Sequence, residues 1–279
     1  MSKEEIDTIG KWSEDKLKLL KKYLEAYTKI LRRQSWCRGY YYIDAFAGSG
    51  EPLSREEGCI VDGSPRCALS IKHPFTKYVF IEIADWRVEK LKKLQQEFDY
   101  LDIEIKQGDC NQILQEEIIP DLPYESNKRA LMFLDPFSLD IEWETLEMAA
   151  KQGTIEVFIN FPIMAVNRTV LVSNIRRLSE KQIERMNRFW GTDEWHRDLY
   201  RIGTDLFGKT YIEKIPQTGR SLSNLFRNRL KSVFPEVSTP LIMRNSKNSP
   251  LYCLIFAGHK KTGRKIIESI FKRFELLGE

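Results

Sequence analysis

Long apolar runs are missing from this sequence. Its first residues, MSKEEIDTIGKW, lack the apolar core of a secretion signal, and no segment approaches the roughly 20 apolar residues that span a bilayer. Internal repeats and low-complexity tracts are also absent. The 279 residues are 42% hydrophobic and 30% charged, which is the balance of a folded globular protein. We therefore expect a cytoplasmic protein that has no membrane partner.

Cysteine is present, but not in the arrangements that bind zinc. The chain has no C-x-x-C pair and no histidine at zinc spacing from a cysteine; its five cysteines are Cys37, Cys59, Cys67, Cys110 and Cys253. We expect free thiols and no metal site. The net charge of +4 is too small to identify a nucleic-acid partner and does not exclude one, so the distribution of charge matters more than its sum.

Short β-prone runs alternate with helical segments through the first 160 residues. The predicted strands are YYYID (40–44), KYVFIE (77–82), DIEIKQG (102–108), ALMFLD (130–135) and TIEVFIN (154–160). The predicted helices between them lie at 86–98, from about 111 onwards, and at 142–150. Five strands separated in this way predict a parallel sheet that helices cover on both faces.

The other segments are predicted to complete one domain that spans 1–279. An amphipathic helix at 13–33, capped by Ser13, precedes a cofactor-binding core at 40–162. The alternation then breaks, and 163–236 is predicted to be a helical insertion. The last segment, 238–279, is predicted to contain a hairpin, formed by STPLIMR and LYCLIFAG, and a helix at 261–276.

A glycine-containing loop and three acids follow the first three predicted strands. In the loop, DAFAGSG, glycine lets the backbone approach a ligand closely, but Leu53 stands where the dinucleotide fingerprint needs its third glycine. Glu82 is suited to accept both hydroxyls of a ribose, and Asp109 is suited to accept a hydrogen bond from an adenine amine. Each acid alone is also compatible with an ordinary strand end. Together, Asp44, Glu82 and Asp109 place an acid at the end of each of three successive strands, which favours a ligand site.

The ordered motifs DAFAGSG, FIE, GD and LDPF resemble those of class I S-adenosylmethionine-dependent methyltransferases. D-x-F-A-G-x-G is especially similar to the enzymes that methylate RNA or DNA bases. EDKLKLLKKYLEAY, GSPRCAL, FLDPFSLDIEW and PLYCLIFAGHK resemble a narrower family, the three-Cys-motif partner proteins. The resemblance implies an α/β fold: a Rossmann-like, seven-stranded, mostly parallel sheet with a reversed C-terminal hairpin, plus the helical insertion.

The resemblance also implies S-adenosylmethionine as the cofactor. The glycine loop is expected to hold its methionine part, Glu82 its ribose and Asp109 its adenine ring. The expected cofactor residues are, in chain order, Asp44, Phe46, Ala47, Gly48, Gly50, Glu82, Ile83, Asp109 and Cys110. The segment EPLSREEGCIVDG (51–63) delays the first helix, so we expect a longer and more mobile loop than in the related enzymes.

The fourth predicted strand ends in LMFLDPFS, which is similar to the D-P-P-[YF] sequence of amino-methyltransferases. The lone pair of an aromatic amine is delocalised into the ring, so Asp135 and the Pro136 carbonyl are expected to accept its hydrogens and hold the nitrogen in line with the methyl group. Phe137 either stacks on the base or packs on the sheet. Asn160, at the end of the fifth strand, either completes the acceptor site or caps a turn.

Two basic segments follow the predicted core, at 176–201 and 219–232. The first interleaves Arg176, Arg177, Arg185, Arg188, Arg197 and Arg201 with Phe189, Trp190, Trp195 and Tyr200, and the second contains Arg220, Arg227, Arg229 and Lys231. This composition is typical of a nucleic-acid surface. It is equally typical of an amphipathic lid whose aromatic rings are buried. His196 is either catalytic or, as is commoner for a single histidine, a packing residue.

Two functions remain open from the sequence. The first is methyl transfer to an exocyclic amine of an RNA or DNA base, which needs a nucleic-acid partner. The second is a non-catalytic, cofactor-binding subunit of another protein. A nicotinamide dehydrogenase is disfavoured by Leu53, by the Asp135-Pro136 sequence and by the terminal hairpin.

Overall fold

The computed structural model describes residues 5–172, 175–204, 210–245 and 247–277. In these residues the strands are β1 (Thr8–Ile9), β2 (Gly39–Asp44), β3 (Leu53–Ser54), β4 (Lys77–Glu82), β5 (Ile103–Gln107), β6 (Lys128–Leu134), β7 (Ile155–Phe161), β8 (Tyr200–Thr204), β9 (Thr210–Lys214), β10 (Glu236–Val237), β11 (Leu241–Arg244) and β12 (Pro250–Gly258). The helices are α1 (Lys11–Leu31), α2 (Ser64–Leu69), α3 (Asp85–Glu97), α4 (Cys110–Ile113), α5 (Trp143–Gln152), α6 (Ile163–Thr169), α7 (Glu180–Trp190), α8 (Trp195–Leu199), α9 (Gly219–Leu230) and α10 (Lys261–Leu277). A π-helical turn occurs at Leu114–Ile118, and 3-10 turns occur at Tyr124–Ser126 and Ile175–Arg177.

One mixed sheet forms the centre of the fold. Strands β7, β6, β2, β4 and β5 lie side by side in this order and run parallel. Strand β12 lies antiparallel to β7, and β10 and β11 both pair with the other edge of β12. Because β10 and β11 share that edge, the sheet has seven positions across. The predicted α/β fold, with a mostly parallel sheet and a reversed terminal hairpin, is confirmed.

The sheet is buried on both faces, which explains why its strands are continuous apolar runs. In β6, Ala130, Met132 and Leu134 pack into one core, with α5, α6, α7 and α9. The alternate residues Leu131 and Phe133 pack into a second core, with α1, α2, α3 and α10. Side chains alternate between the faces of a strand, so one apolar sequence supplies both cores. No helix in the described ranges is long and apolar enough to cross a bilayer.

Two predictions about elements need correction, and one pair of strands was not predicted. Helix α1 begins at Lys11 rather than Ser13, because Gly10 is the extended cap and the Ser13 N–H bonds its carbonyl at 2.9 Å. The insertion at 163–236 is not wholly helical, since β8 and β9 form an antiparallel hairpin in it. Residues near the N-terminus also form a strand: β1 pairs in parallel with β3. These short strands lack the continuous apolar pattern that identifies the central strands.

Candidate active site

A cavity of about 870 Å³ lies at the carboxyl ends of the parallel strands. Residues at or just after the ends of five of these strands line it, including Gly48, Glu82, Asp109, Asp135 and Asn160. Of the thirteen residues predicted for the site, twelve line this cavity; Asp44 alone does not. The chain therefore brings the predicted residues together, while their individual roles remain predictions.

The glycine loop is tied to the end of the neighbouring strand by Glu82. The backbone N–H of Gly48 donates to Oε2 of Glu82 at 3.0 Å, and the N–H groups of Ile83 and Ala84 donate to Oε1 at 2.8 and 2.9 Å. Gly48 and Gly50 have φ of +64° and +78°, a conformation that favours glycine. A carboxylate offers about four acceptor positions, so three are already occupied. Bidentate binding of a ribose requires at least one backbone N–H to be released.

The segment before α1 supports the same loop, and no pattern in the sequence predicted this contact. Asp7 accepts a hydrogen bond from the Ser49 N–H at 3.1 Å and pairs with Arg87 at 2.7 Å. Arg87 also lies 3.6 Å from Oε2 of Glu82. The pairing of β1 with β3 holds this segment over the cavity, and Asp7, Thr8 and Ile9 line it.

Asp44 lies beneath the loop rather than on the cavity surface. Its side chain is fully buried, accepts from the Tyr42 hydroxyl at 3.1 Å and accepts from the Phe46 N–H at 3.3 Å. Burial raises the pKa of Asp44 to about 7, and the nearby charge of Asp135 adds to the rise. Asp44 thus shapes the loop from inside.

Asp109 and Cys110 lie at the start of α4. One carboxylate oxygen of Asp109 caps this helix by accepting from the N–H groups of Asn111 and Gln112 at 2.9 and 3.1 Å. Asp109 also lines the cavity. Burial raises the pKa of the Cys110 thiol to about 12, which favours its protonated form at neutral pH. Within the described residues, no group of three histidine, cysteine or acidic side chains is arranged to hold a metal ion.

Asp135 is held from two sides. The Nζ of Lys16, on α1, forms an ion pair with its Oδ2, and Asn160 Nδ2 donates to its Oδ1 at 2.6 Å. Oδ1 of Asn160 is buried and has no hydrogen-bond partner among the described residues. The Phe137 ring, by contrast, is 91% exposed and lines the cavity, so it does not pack on the sheet.

Lys16 is a site residue that the sequence analysis missed. The only signal for it is its position on α1, where Leu20 and Tyr23 continue the same buried face four and seven residues later. A lysine on an apolar face can be recognised in the sequence. Its partner cannot be recognised there, because it lies 119 residues further along the chain.

The aromatic rings of the first basic segment do not form a binding surface. Phe189, Trp190, Trp195 and Tyr200 are all buried in the core, as the alternative of an amphipathic lid required. His196 does not line the cavity, and its Nδ1 lies against the carbonyl oxygen of Asp193. The interpretation of these four rings as base-stacking groups was therefore wrong.

Many of the cations in both basic segments have partners within the protein. Arg185 pairs with Asp140, Arg188 with Glu142 at 3.4 Å, Arg197 with Glu194 at 2.7 Å and Arg201 with Glu213 at 2.7 Å. Arg227 donates to the Ser238 carbonyl at 2.8 Å, and Arg229 donates to the Trp190 carbonyl at 2.9 Å. Arg177, Arg220 and Lys231 are exposed. The side chain of Arg176 lies outside the described part of the chain.

Comparison with protein-family models finds no match to this sequence, and comparison with curated proteins finds none either. Among solved structures, the N-terminal domain of EvdMO1, crystallised in the presence of SAH and D-fucose, is similar at 8% identity and a TM-score of 0.43, covering 86% of this chain and 82% of that one. Protein LPL1258 from Legionella pneumophila is similar at 15% identity and a TM-score of 0.44, covering 87% and 96%. These likenesses are too distant to carry an argument, so the fold assignment stands on the strand order of this chain.

Proposed function

We propose that this chain is an S-adenosylmethionine-dependent methyltransferase whose acceptor is an exocyclic amine of an RNA or DNA base. The observation that carries the proposal is that one cavity, of about 870 Å³, is lined by twelve residues of the predicted cofactor and acceptor sites. Its volume is within the range of about 300–1,000 Å³ that is typical of small-ligand sites. Ligands of open α/β sheets bind at this edge of the sheet.

The residues around the loop fit such a cofactor. The loop backbone from Phe46 to Gly50 borders the cavity and would hold the methionine part. Glu82 would hold a ribose hydroxyl at its remaining acceptor position, and the uncapped oxygen of Asp109 would accept from the adenine amine. Ile83, which is 67% exposed, offers an apolar surface to the adenine ring. When bound, S-adenosylmethionine would supply a methyl group on a positive sulfur. Transfer would form the N–C bond as the S–C bond breaks, with S-adenosylhomocysteine as the leaving group, and the amine would release one proton to solvent.

The acceptor side consists of Asp135, Pro136, Phe137 and Asn160. Lys16 and Asn160 each use one position on the Asp135 carboxylate, which leaves about one position on each oxygen for the hydrogens of an amine. The exposed Phe137 ring is available to stack on the base that carries this amine. Together these groups would orient the nitrogen lone pair toward the methyl group. A base within a duplex would first have to be flipped out.

A nucleic acid would also need cations for its phosphates. Arg55 and Arg168 are exposed and line the cavity, next to the proposed acceptor and cofactor sites. In the segments 176–201 and 219–232, the exposed Arg177, Arg220 and Lys231 would extend this surface. We propose that phosphate contacts, rather than the buried rings, make up the nucleic-acid surface.

Isothermal calorimetry tests the cofactor assignment. We expect binding of S-adenosylmethionine and no binding of NAD, because the third glycine of the dinucleotide fingerprint is replaced by Leu53. Glu82→Ala is expected to abolish the signal, since it removes the ribose partner and also releases the Gly48 N–H. Unchanged affinity in this variant would contradict the assignment of Glu82.

Transfer of a labelled methyl group from S-adenosylmethionine tests the acceptor. Total RNA, total DNA and protein are incubated separately with the wild type, with Asp135→Asn, and with Asp99→Asn, an exposed control. We expect label in RNA or DNA, its loss in Asp135→Asn and its retention in Asp99→Asn. Label in the protein fraction alone would refute a base acceptor.

A second candidate function is the cofactor-binding subunit of another protein. The observation that favours it is the engagement of both Asp135 oxygens by Lys16 and Asn160. This function predicts that S-adenosylmethionine binds but that no fraction becomes labelled.

A further inference from the structure

Lys16 differs from the other lysines and arginines of the described chain in being buried. Its side chain is 7% exposed, whereas that of Lys18, two residues later on α1, is 61% exposed. Its ammonium contacts Oδ2 of Asp135 and lies 5.5 Å from the centre of the Tyr252 ring. The ring itself is fixed, because the Tyr252 hydroxyl donates to the Trp12 carbonyl at 2.6 Å.

A buried ammonium is a costly way to stabilise a fold. Removing an ammonium from water carries a large penalty, and replacing both partners of a buried ion pair by apolar side chains is often neutral or stabilising. The remainder of this face of α1 is apolar, with Leu20 and Tyr23 fully buried. Packing alone therefore gives no reason for a lysine here, and the reason has to lie in what its charge contacts.

We infer that Lys16 is a positioning residue that fixes the orientation of the Asp135 carboxylate for the acceptor amine; this inference rests on the proposed function. Lys16 and Asn160 each donate to a different oxygen of Asp135, so together they define the plane of the carboxylate. When this plane is fixed, the free lone pair on each oxygen of Asp135 has one defined direction. An amine that uses both lone pairs is held in one orientation, which is the condition for in-line attack.

The experiment compares wild type with Lys16→Met and with Lys18→Met as the matched control on the same helix. We expect kcat for methyl transfer to fall by roughly 10- to 100-fold in Lys16→Met, because a misplaced reacting group typically costs this much. We expect the calorimetric affinity for S-adenosylmethionine to stay within about twofold. The thermal midpoint is expected to fall, because Asp135 is left without its charged partner. Lys16→Arg, which retains the charge, is expected to recover part of kcat. Lys18→Met is expected to behave as wild type.

Crystal structures of wild type and Lys16→Met test the inference without relying on turnover. We expect the Asp135 carboxylate in the variant to turn by more than about 20°, the tolerance of a productive site. A carboxylate that keeps its orientation would overturn the inference, as would a variant with unchanged kcat. Methylation of Lys16 itself, found by mass spectrometry, would also overturn it, because Lys16 would then be an acceptor. If the wild type transfers no methyl group, the proposed function fails, and the two crystal structures still decide the role of Lys16.

Discussion

Replacing Asp44 with asparagine is expected to change how the stability of the protein depends on pH. The side chain of Asp44 is fully buried, and burial raises its pKa from 3.8 to about 7 despite hydrogen bonds from Ser64 and Tyr42 that act in the opposite direction. An acid whose pKa is raised by folding stabilises the protein below its unfolded pKa. That contribution is lost as the pH rises through the folded pKa.

The magnitude follows from the difference between the two pKa values. A difference of about 3 units, at about 1.4 kcal/mol per unit, corresponds to about 4 kcal/mol once the pH exceeds the folded pKa. About 3 kcal/mol of this loss falls between pH 5 and pH 8, because the unfolded acid is already partly ionised at pH 5. The asparagine side chain remains uncharged over the whole range and keeps an oxygen for the Phe46 N–H.

Urea unfolding followed by circular dichroism at several pH values between 5 and 8 measures this effect. The difference in free energy of unfolding, Asp44→Asn minus wild type, should increase by about 3 kcal/mol as the pH rises from 5 to 8. The exposed Asp99→Asn serves as the control, and its curve should run parallel to the wild type. A parallel curve for Asp44→Asn as well would refute the argument that a buried carboxyl lies beneath the loop.

Three further predictions follow from individual contacts. Burial raises the pKa of Glu156 from 4.5 to about 7, so Glu156→Gln should gain about 2 kcal/mol of stability on the wild type between pH 5.5 and pH 8.5 in the same urea assay. Phe137→Ala should lower kcat/KM for a nucleic-acid acceptor, because the exposed Phe137 ring is no longer there for a base to stack on. The expected loss of transition-state stabilisation is about 1–3 kcal/mol, and the thermal midpoint should stay unchanged. Asp7→Asn should weaken S-adenosylmethionine binding by about 1.5 kcal/mol, roughly tenfold in Kd by calorimetry, since the loop loses a charged partner of Arg87 and Ser49; an unchanged Kd would contradict this support of the loop.

The central sheet was predictable because each parallel strand is a continuous apolar run between helical segments. The strand Lys77–Glu82 was predicted at both ends as observed, and the others differ by one or two residues. The hairpin of β8 and β9 was missed for the opposite reason. Its residues are mostly exposed or half-buried, so the sequence YRIGT has no apolar pattern that distinguishes it from a loop.

The candidate site was predictable to the extent that it follows from topology. Parallel strands present their carboxyl ends at one edge, so acids after several strands had to lie near one another. What the sequence did not provide is how these acids are engaged. Glu82 was expected to be available to a ribose, yet it accepts three backbone N–H groups. Such contacts depend on the conformation of a loop and leave no periodic signal.

The cofactor side and the acceptor side of the site are both supported by residues that precede β2 in the sequence. Asp7, before α1, holds the glycine loop through the Ser49 N–H and Arg87, and Lys16, on α1, holds Asp135. Changing Asp7 should therefore alter how the loop binds a cofactor. Changing Lys16 should alter how Asp135 binds an acceptor. The two have no common hydrogen-bonding partner, so their effects on affinity and on turnover should be separable and additive. Helix α1, which covers one face of the sheet, and the segment just before it thereby support both substrates of the proposed reaction.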